Sequence, residues 1–393
     1  MDDVVILSAA RTPIGAFQGA LASLPAHALG ARALTAAIER AGLTPQEIDQ
    51  VNLGCVLTAG QGQAPARQAT LAAGCPVSTG AITLNKVCGS GMRAVMIAAN
   101  DLRCGDYKVV AAGGMESMSQ APYLAAGVRD GLRLGHGKLI DSTIHDGLWD
   151  PYNDLHMGNC AELCAAEYKF TREEQDAYSL ESYRRAREAS EKGLFAEEIV
   201  PVSIAGKKGA TVVDRDEEPF KVDLAKMSSL RPAFQKDGTV TAANASKIND
   251  GAAALVLTTA AHAARLGKKP IGRILAHASL AQKPEWFTTA PVGAARALLE
   301  RAGLKAADID LWEVNEAFAV VAQAFLRELD LPADRVNVRG GAVALGHPIG
   351  SSGARIVVTL LHALRERGAR LGVAAICIGG GEATAILVER TEG

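Results

Sequence analysis

Aromatic residues are scarce in this sequence, and net charge is almost absent. Phe, Trp and Tyr together make up 4% of the 393 residues, whereas 48% of the residues are hydrophobic and 40 are glycine. A core of Ala, Val, Leu and Ile with many tight turns is typical of an α/β enzyme. The formal charge of -2 gives no general attraction to nucleic acid or to an anionic membrane. We therefore expect neither partner, and local groups must hold any anionic ligand.

Signals for export and for membrane insertion are also missing. The first ten residues enter a short apolar strand without a basic segment or a long apolar segment. No apolar run approaches the roughly 20 residues that cross a bilayer. The seven cysteines form no C-x-x-C pair, and their odd number fits a reducing compartment better than a disulfide framework. The expected location is the cytoplasm.

Two parts of the chain repeat one pattern. Residues 39–43, with the sequence ERAGL, recur as residues 300–304, and an Ile-Asp pair follows both at the same spacing. Glycine-rich turns at residues 88–91 and 350–353 each precede an apolar helical stretch, and both parts then reach a strand ending in Gly and Glu. The pattern predicts an α/β fold of two duplicated βα-alternating halves with mostly parallel sheets.

The region between the repeats has a different composition. Residues 119–244 contain loops rich in Gly, Asp and His, and a charged helix is predicted at residues 171–192, where Thr171 and Glu174 form a capping box. We interpret this region as an inserted loop domain that carries ligand-binding and oligomer contacts, because insertions of this size usually carry binding or assembly surfaces. The predicted units are an N-terminal half of residues 1–118 plus 245–270, the insertion of residues 119–244, and a C-terminal half of residues 271–393.

Cys88 lies where a nucleophile is expected. It follows a strand-like run at residues 81–87 and precedes Gly-Ser-Gly and an apolar helix predicted at residues 92–102. A thiol at a helix N-terminus experiences the positive end of the helix dipole, which favours the thiolate, and glycines let a substrate approach the backbone. A buried structural cysteine at a tight turn is the alternative interpretation of this segment alone.

Two further glycine-rich segments offer a base and a second thiol. His347 lies in the loop of residues 340–353, at the position that the repeat makes equivalent to the Cys88 loop, so it can reach a shared site and activate a thiol. Cys377 lies at the carboxyl end of a predicted strand, where ligands of α/β sheets gather. The spacings of these residues match no zinc motif, and we predict no metal site.

Separated motifs along the whole chain resemble those of the thiolase family. They are NKVCGSG at residues 85–91, NEAF at 315–318, GHP at 346–348 and CIGGG at 377–381, with further likeness in SAARTPIG at 8–15 and NASKINDGA at 244–252. The resemblance implies a thiolase-like fold. It also implies an enzyme that makes or breaks the carbon–carbon bond of a 3-oxoacyl-CoA through a cysteine-bound acyl intermediate.

The resemblance implies a role for each of five catalytic residues. Cys88 would take the acyl group, His347 would activate it, and Cys377 would deprotonate the α-carbon of the second acyl-CoA. The enolate oxygen would be bound by His347 and by a water molecule held by Asn315. The backbone N–H groups of Cys88 and Gly379 would stabilise the oxyanion of the tetrahedral intermediate.

The resemblance also implies a substrate pocket. His156-Met157-Gly158 is similar to the H-M-G segment of short-chain thiolases, where the Met closes the acyl pocket and the His lies along the pantetheine; a Met in a loop core is the alternative. Other residues expected to contact the acyl group or CoA are Phe234, Ala242, Ser246, Phe287, Ala317 and Phe318, with Lys221 and Lys226 as candidates for the phosphates. Two positions differ from the residues that are frequent in relatives. Lys247 stands where relatives often have Gly or Thr, and Arg339 stands where Asn is frequent. These two differences leave the affinity for CoA and the position of the His347 loop open.

Several activities remain open at this point. The leading one is the reversible condensation of two acetyl-CoA to acetoacetyl-CoA, with CoA as substrate and product and no other cofactor. A β-oxidation thiolase of broad chain length and a non-catalytic acyl-CoA-binding relative are the alternatives. A decarboxylating condensing enzyme would use two histidines beside the nucleophile, whereas the second position here is Cys377.

The family also implies a dimer or a dimer of dimers, and we expect a homotetramer with residues 125–137 as a contact loop.

Overall fold

Both halves of the chain contribute strands to one ten-stranded sheet. The computed structural model describes residues 3–206 and 209–391. Within these residues the strands are β1 (Val4–Arg11), β2 (Gly15–Ala16), β3 (Gln50–Gly54), β4 (Gly80–Leu84), β5 (Val109–Ser117), β6 (Tyr123–Ala125), β7 (Leu139–Asp141), β8 (Trp149–Asp150), β9 (Leu155–His156), β10 (Val202–Ile204), β11 (Thr211–Val213), β12 (Asn249–Thr259), β13 (Gly272–Ala281), β14 (Leu311–Val314), β15 (Leu371–Ile378) and β16 (Glu382–Arg390).

Helices connect most of the long strands. They are α1 (Ala26–Arg40), α2 (Pro65–Ala72), α3 (Ser90–Cys104), α4 (Met157–Tyr168), α5 (Arg172–Glu191), α6 (Glu218–Lys221), α7 (Ala260–Arg265), α8 (Ala290–Ala302), α9 (Ala319–Leu329), α10 (Ala342–Leu345) and α11 (Ile349–Glu366). Several end at a glycine with positive φ, such as Gly105 after α3 and Gly303 after α8. Such a residue closes the last turn without the steric cost that a side chain would bring.

The strand order shows the predicted duplication. β1, β12, β5 and β3 lie side by side in the first half, and β13, β16, β15 and β14 repeat that order in the second. The pairs β5–β3 and β15–β14 are parallel, whereas β12 and β16 run antiparallel to both of their neighbours. Within each half, all strands but one therefore point the same way. The two halves of the sheet are joined by the antiparallel pairing of β1 with β13.

Two helices fill the space between the halves. Every residue of α11 from 349 to 364 is buried, and its apolar side chains share one cluster with α3 and with strands of both halves. A helix that is buried on all sides belongs in the core. Helices α1 and α2 cover the other face of the first half, and α8 and α9 cover that of the second. The N-termini of α3 and α11 thus carry the predicted Cys88 and His347 loops toward each other.

The inserted region builds its own small elements. In the part that the structure describes, β6 pairs with β7, β8 with β9, and β10 with β11, each as a separate two-stranded sheet. The predicted charged helix is confirmed as α5. Its capping box is complete, since the Glu174 N–H donates to Thr171 Oγ1 at 3.1 Å and the Thr171 N–H donates to Glu174 Oε2 at 2.8 Å. The domain boundaries themselves stay a prediction.

Candidate active site

Cys88 lies in a strained turn between β4 and α3. Val87 precedes it with a φ of +45°, a left-handed conformation that is unusual for a β-branched residue. The Val87 N–H donates to Asn85 Oδ1 at 2.9 Å, and the Lys86 N–H donates to Ser90 Oγ at 2.8 Å. These bonds hold the turn, which ends the predicted strand at Leu84 and directs Cys88 into a cavity.

The surroundings of the Cys88 thiol favour its neutral form. Burial raises the pKa of Cys88 to about 11, although the backbone N–H groups of Gly379 and of Cys88 itself lower it. The charge of Glu116 adds to the increase. Desolvation therefore outweighs the helix dipole, and the expectation that this position favours a thiolate is not met in the free enzyme. A base has to take the proton.

His347 is held as a neutral base. Its Nδ1 lies 2.6 Å from Ser352 Oγ, and the Ser352 hydroxyl donates to the Pro348 carbonyl at 2.9 Å. Because that hydroxyl proton is used, Nδ1 must be the protonated nitrogen, and Nε2 keeps its lone pair. Burial, with a smaller effect of Arg355, lowers the pKa of His347 to about 3. The imidazole is therefore uncharged at neutral pH and can accept a proton at Nε2.

Asn315 lies beside the free nitrogen of His347. Its Nδ2 is 3.5 Å from His347 Nε2, and its own N–H donates to the Ala375 carbonyl at 3.0 Å, at the end of β14. Within the described residues, Asn315 Oδ1 is buried without a hydrogen-bond partner. The amide thus has free hydrogen-bonding capacity next to the imidazole, which is what the predicted water-holding role requires.

Cys377 is fully buried at the end of β15. Burial and the neighbouring Cys88 raise the pKa of Cys377 well above its usual range, although its own N–H and that of Ala317 oppose the increase. Cys377 is therefore a thiol, the form that can donate a proton to a carbanion or enolate.

A cavity of about 320 Å³ brings most of the predicted residues together. Its lining includes Cys88, His156, Met157, Phe234, Ala242, Ser246, Phe287, Ala317, Phe318, His347 and Gly379. Asn315 and Cys377 are buried and are not part of that lining. Lys221 and Lys226 also lie outside it; Lys221 Nζ is 3.4 Å from Glu217, and Lys226 Nζ is 3.1 Å from Asp223. Their predicted contact with CoA phosphates stays a prediction.

Aromatic rings and Met157 shape the cavity wall. The rings of His156 and Phe234 stack with centroids 4.9 Å apart, and those of Phe287 and Phe318 meet edge to face at 6.2 Å. Met157 is buried, and its Sδ lies 3.6 Å from where a Cβ on Gly379 would stand. One end of the cavity is thus apolar and crowded, next to the backbone that faces Cys88.

Two buried carboxylates position the catalytic loops and were not predicted. Glu116 accepts from the Gly350 N–H at 2.9 Å, and Glu316 accepts from the Val343 N–H at 3.1 Å. Both contacts hold the chain on either side of His347. The signals were visible in the sequence, because Glu316 belongs to the NEAF motif and Glu116 ends a strand of the repeat. Their function depends on contacts across the fold, which the motifs do not reveal.

Ser352 and Asn249 are two further residues that sequence reasoning missed. Ser352 Oγ accepts a hydrogen bond from the imidazole ring of His347, and Asn249 Oδ1 accepts one from the backbone N–H of His347 at 2.9 Å. Ser352 belongs to the glycine-rich GSSG turn and Asn249 to the NASKINDGA segment, so both lie in motifs already recognised. Only the fold shows that they contact His347.

Neither a metal cluster nor a membrane helix is found in the described part of the chain. In residues 3–206 and 209–391, no three His, Cys, Asp or Glu side chains are grouped to hold a metal ion. In the same ranges, no helix combines the length and apolarity that crossing a bilayer requires. The fold and the site together define a class of duplicated α/β enzymes with a cysteine and a neutral histidine at one cavity and a second, buried thiol at the end of a neighbouring strand.

Comparison with known proteins identifies the family. The profile described as "Thiolase, N-terminal domain" matches residues 4–261, and "Thiolase, C-terminal domain" matches residues 268–390. The chain is 54% identical over 392 residues to acetyl-CoA acetyltransferase B, mitochondrial, of Xenopus laevis, covering 99% of this chain and 92% of that protein. It is 51% identical to an acetyl-CoA acetyltransferase of Pseudomonas aeruginosa, with 99% and 100% covered.

A solved structure agrees with the sequence comparison. The crystal structure of a thiolase from Ascaris suum in complex with coenzyme A has a TM-score of 0.94 and 47% identity, covering 99% of this chain and 100% of that chain. The chain therefore belongs to the thiolase family. The predicted thiolase-like fold and the predicted acyltransferase class are confirmed.

Proposed function

We propose that this protein is an acetyl-CoA C-acetyltransferase, which interconverts two acetyl-CoA with acetoacetyl-CoA and CoA. The observation that carries the proposal is that Cys88 and a neutral His347 line one apolar cavity, while the buried thiol of Cys377 lies two residues before Gly379 of the same lining. The names of the relatives from Xenopus laevis and Pseudomonas aeruginosa support the same activity. CoA is a substrate and product, and the reaction needs no other cofactor.

The first half of thiolysis uses both thiols. His347 Nε2 takes the Cys88 proton, and the sulfur attacks the 3-oxo carbon of acetoacetyl-CoA. The resulting oxyanion accepts from the N–H groups of Cys88 and Gly379, the two backbone groups that lower the pKa of the Cys88 thiol in the free enzyme. The C2–C3 bond then breaks, and the enolate of acetyl-CoA, stabilised by His347 and Asn315, receives the Cys377 proton at its α-carbon. Acetyl-Cys88 and one acetyl-CoA result.

The second half restores the enzyme. The incoming CoA thiol gives its proton to the Cys377 thiolate and attacks acetyl-Cys88, which releases the second acetyl-CoA. His347 returns its proton to Cys88. The raised pKa of Cys377 suits this cycle, because the thiol form must be present when the enolate appears and must be regained at each turnover.

The acyl pocket favours a four-carbon substrate. Met157, Phe287 and Phe318 crowd the apolar end of the cavity and leave little room beyond a short acyl group. A thiolase of broader chain length would need one of these side chains to move away. The size of the substrate is therefore the point on which the two candidate thiolase activities differ.

Thiolysis of acetoacetyl-CoA and of 3-oxooctanoyl-CoA tests the proposal. We expect cleavage of the C4 substrate alone, and we expect Cys88→Ala to reduce it by roughly 10³-fold or more because the nucleophile is lost. Cys104→Ala, a change at an exposed cysteine, is the matched control and should retain the activity. Equal cleavage of both substrates would assign a broad β-oxidation thiolase. CoA binding without turnover by the wild type would instead support a non-catalytic relative.

We also propose a homotetramer in the cytoplasm that serves fatty acid metabolism. The predicted contact loop and its flank expose Val128, Leu132, Leu134 and Leu139, an apolar group of the kind that interfaces cover. Light scattering of the purified protein measures the mass and separates a tetramer from a dimer. The relatives include a protein named as mitochondrial and a bacterial protein, so the location stays a prediction.

A further inference from the structure

Lys247 ends among neutral oxygen atoms beside the active-site cavity. Its ammonium group donates to Tyr183 Oη at 2.6 Å, to the Ala245 carbonyl at 3.0 Å and to the Val343 carbonyl at 2.8 Å. Among the described residues, all of its hydrogen-bond partners are uncharged. Burial raises the pKa of Tyr183, so that its hydroxyl stays neutral. The lysine thus occupies a small site whose oxygens surround a positive charge.

The amine keeps its charge despite its burial. Desolvation lowers the pKa of Lys247 to about 8, while the more distant carboxylates of Glu218 and Glu316 oppose that decrease. The group is therefore an ammonium ion at neutral pH. An ammonium ion and a potassium ion have similar size and charge, and both are satisfied by carbonyl and hydroxyl oxygens.

The three oxygens belong to three different elements around the site. Tyr183 lies on α5, and Ala245 lies in the cavity wall, which also includes residue 242 and residues 246–248. Val343 lies on α10, which ends at Leu345, and only Gly346 separates that helix from His347. The ammonium therefore joins the substrate-facing wall to the loop that carries the base. Without a cation, the carbonyls of Ala245 and Val343 would lose this hydrogen bond in a buried position, which is unfavourable.

We propose that Lys247 is a built-in monovalent cation that positions the His347 loop against the cavity wall. The three-oxygen site is then a cation site that the lysine side chain occupies permanently. Two consequences follow. The wild-type enzyme does not depend on soluble monovalent cations, and removal of the side chain creates a site that takes K⁺ or NH₄⁺ from solution.

Thermal unfolding of Lys247→Ala tests the site independently of the proposed activity. The melting temperature is measured in KCl, NH₄Cl and N-methylglucamine chloride at equal ionic strength, the last cation being too large for the site. We expect KCl and NH₄Cl to raise the melting temperature of the alanine variant only. Lys247→Met fills most of the space without charge and should show no cation effect. Lys192→Ala, at an exposed lysine, is the matched control.

Thiolysis kinetics test the positioning role, and this arm alone depends on the proposed function. In N-methylglucamine chloride, Lys247→Ala should lose about 10- to 100-fold in kcat, by analogy with the loss of residues that orient metal ligands, with a smaller change in KM. KCl should restore kcat in Lys247→Ala and leave it low in Lys247→Met. Wild-type kcat should be equal in the three salts.

Three outcomes would overturn the inference. They are a wild type that requires K⁺, an alanine variant whose melting temperature ignores K⁺, and an alanine variant that remains unfolded even in KCl. A wild type without thiolysis activity would contradict the proposed function instead. The thermal measurement would then still decide whether the oxygens around Lys247 form a cation site.

Discussion

At the residue scale, burial decides the charge of the proposed catalytic groups. It keeps Cys88 and Cys377 as thiols and His347 as a neutral imidazole, with the pKa of His347 lowered to about 3. The imidazole of His347 is unprotonated near neutral pH, but it can accept a proton at Nε2 only in the tautomer that carries its proton on Nδ1. Ser352 determines that tautomer, because its hydroxyl accepts from Nδ1–H and leaves Nε2 free.

Replacing Ser352 with alanine tests this role. We expect Ser352→Ala to lower kcat for thiolysis by about 10- to 100-fold, because the imidazole loses the partner that orients it. The KM for acetoacetyl-CoA should change little, since Ser352 does not line the cavity. Ser351→Ala is the matched control, as Ser351 is the neighbouring buried serine on α11. Equal effects of the two substitutions would show that only helix packing was disturbed.

At the element scale, the turn between α10 and α11 sets the position of His347. Gly346 has a φ of +105°, and a Cβ built on it would lie 2.5 Å from the side chain of Asn249. That same side chain accepts from the His347 N–H. The glycine is therefore required twice, once for the backbone conformation and once for the close approach.

A pair of glycine substitutions separates these two requirements. Gly368→Ala places a side chain at a φ of +61° in open space and should cost about 1 kcal/mol of unfolding free energy, with thiolysis unchanged. Gly346→Ala adds the contact with Asn249 and should cost about 2–4 kcal/mol and lower kcat. Urea unfolding and thiolysis rates measure both. Equal costs for the two variants would mean that Asn249 moves aside freely.

At the scale of the whole molecule, a buried charge network joins the two halves to the insertion. Glu198, in the insertion, accepts from Arg11 Nε of β1 at 2.7 Å and lies 3.5 Å from Arg339, which precedes α10. Asp216 completes the network with a two-pronged bond to Arg11 at 2.7 and 2.8 Å. Arg339, a departure noted in the sequence, thus has a structural partner in Glu198.

Neutralising Glu198 should weaken the whole fold. Burial alone would raise the pKa of Glu198, but Arg11, His362 and Arg339 outweigh it and hold the pKa below the usual 4.5. Glu198→Gln should cost about 3–5 kcal/mol at pH 7, because Arg11 and Arg339 lose their counter-charge. The sign of the pH effect follows from the lowered pKa: this stabilisation is complete above about pH 4.5 and is lost as the pH falls through the folded value.

Urea unfolding of wild type and Glu198→Gln at pH 7 and at pH 4 measures this difference. The gap between the two proteins should shrink at the lower pH. Glu188→Gln, at an exposed carboxylate on α5, is the control and should leave the unfolding free energy almost unchanged. A gap that widens on acidification would contradict the assignment of Glu198 as a stabilising anion.

Much of this protein could be predicted from its sequence because the informative patterns are local. The ERAGL repeats and the glycine-rich turns indicated the duplication, and the Thr171 capping box located α5. Motifs around Cys88, His347, Asn315 and Cys377 indicated the family, because a motif can be recognised from a few residues that are adjacent in the sequence. Gly346, Gly380 and Gly381 of those motifs have positive φ, a local conformation that favours glycine.

The tertiary structure alone decided the charge states and the supporting contacts. Desolvation depends on what surrounds a group, so the neutral thiol of Cys88 could not be inferred from its helix N-terminus. The partners of Lys247 come from α5, the cavity wall and α10, which are far apart along the chain. A sequence motif determines which groups are present, whereas their protonation and orientation depend on residues that only folding brings together.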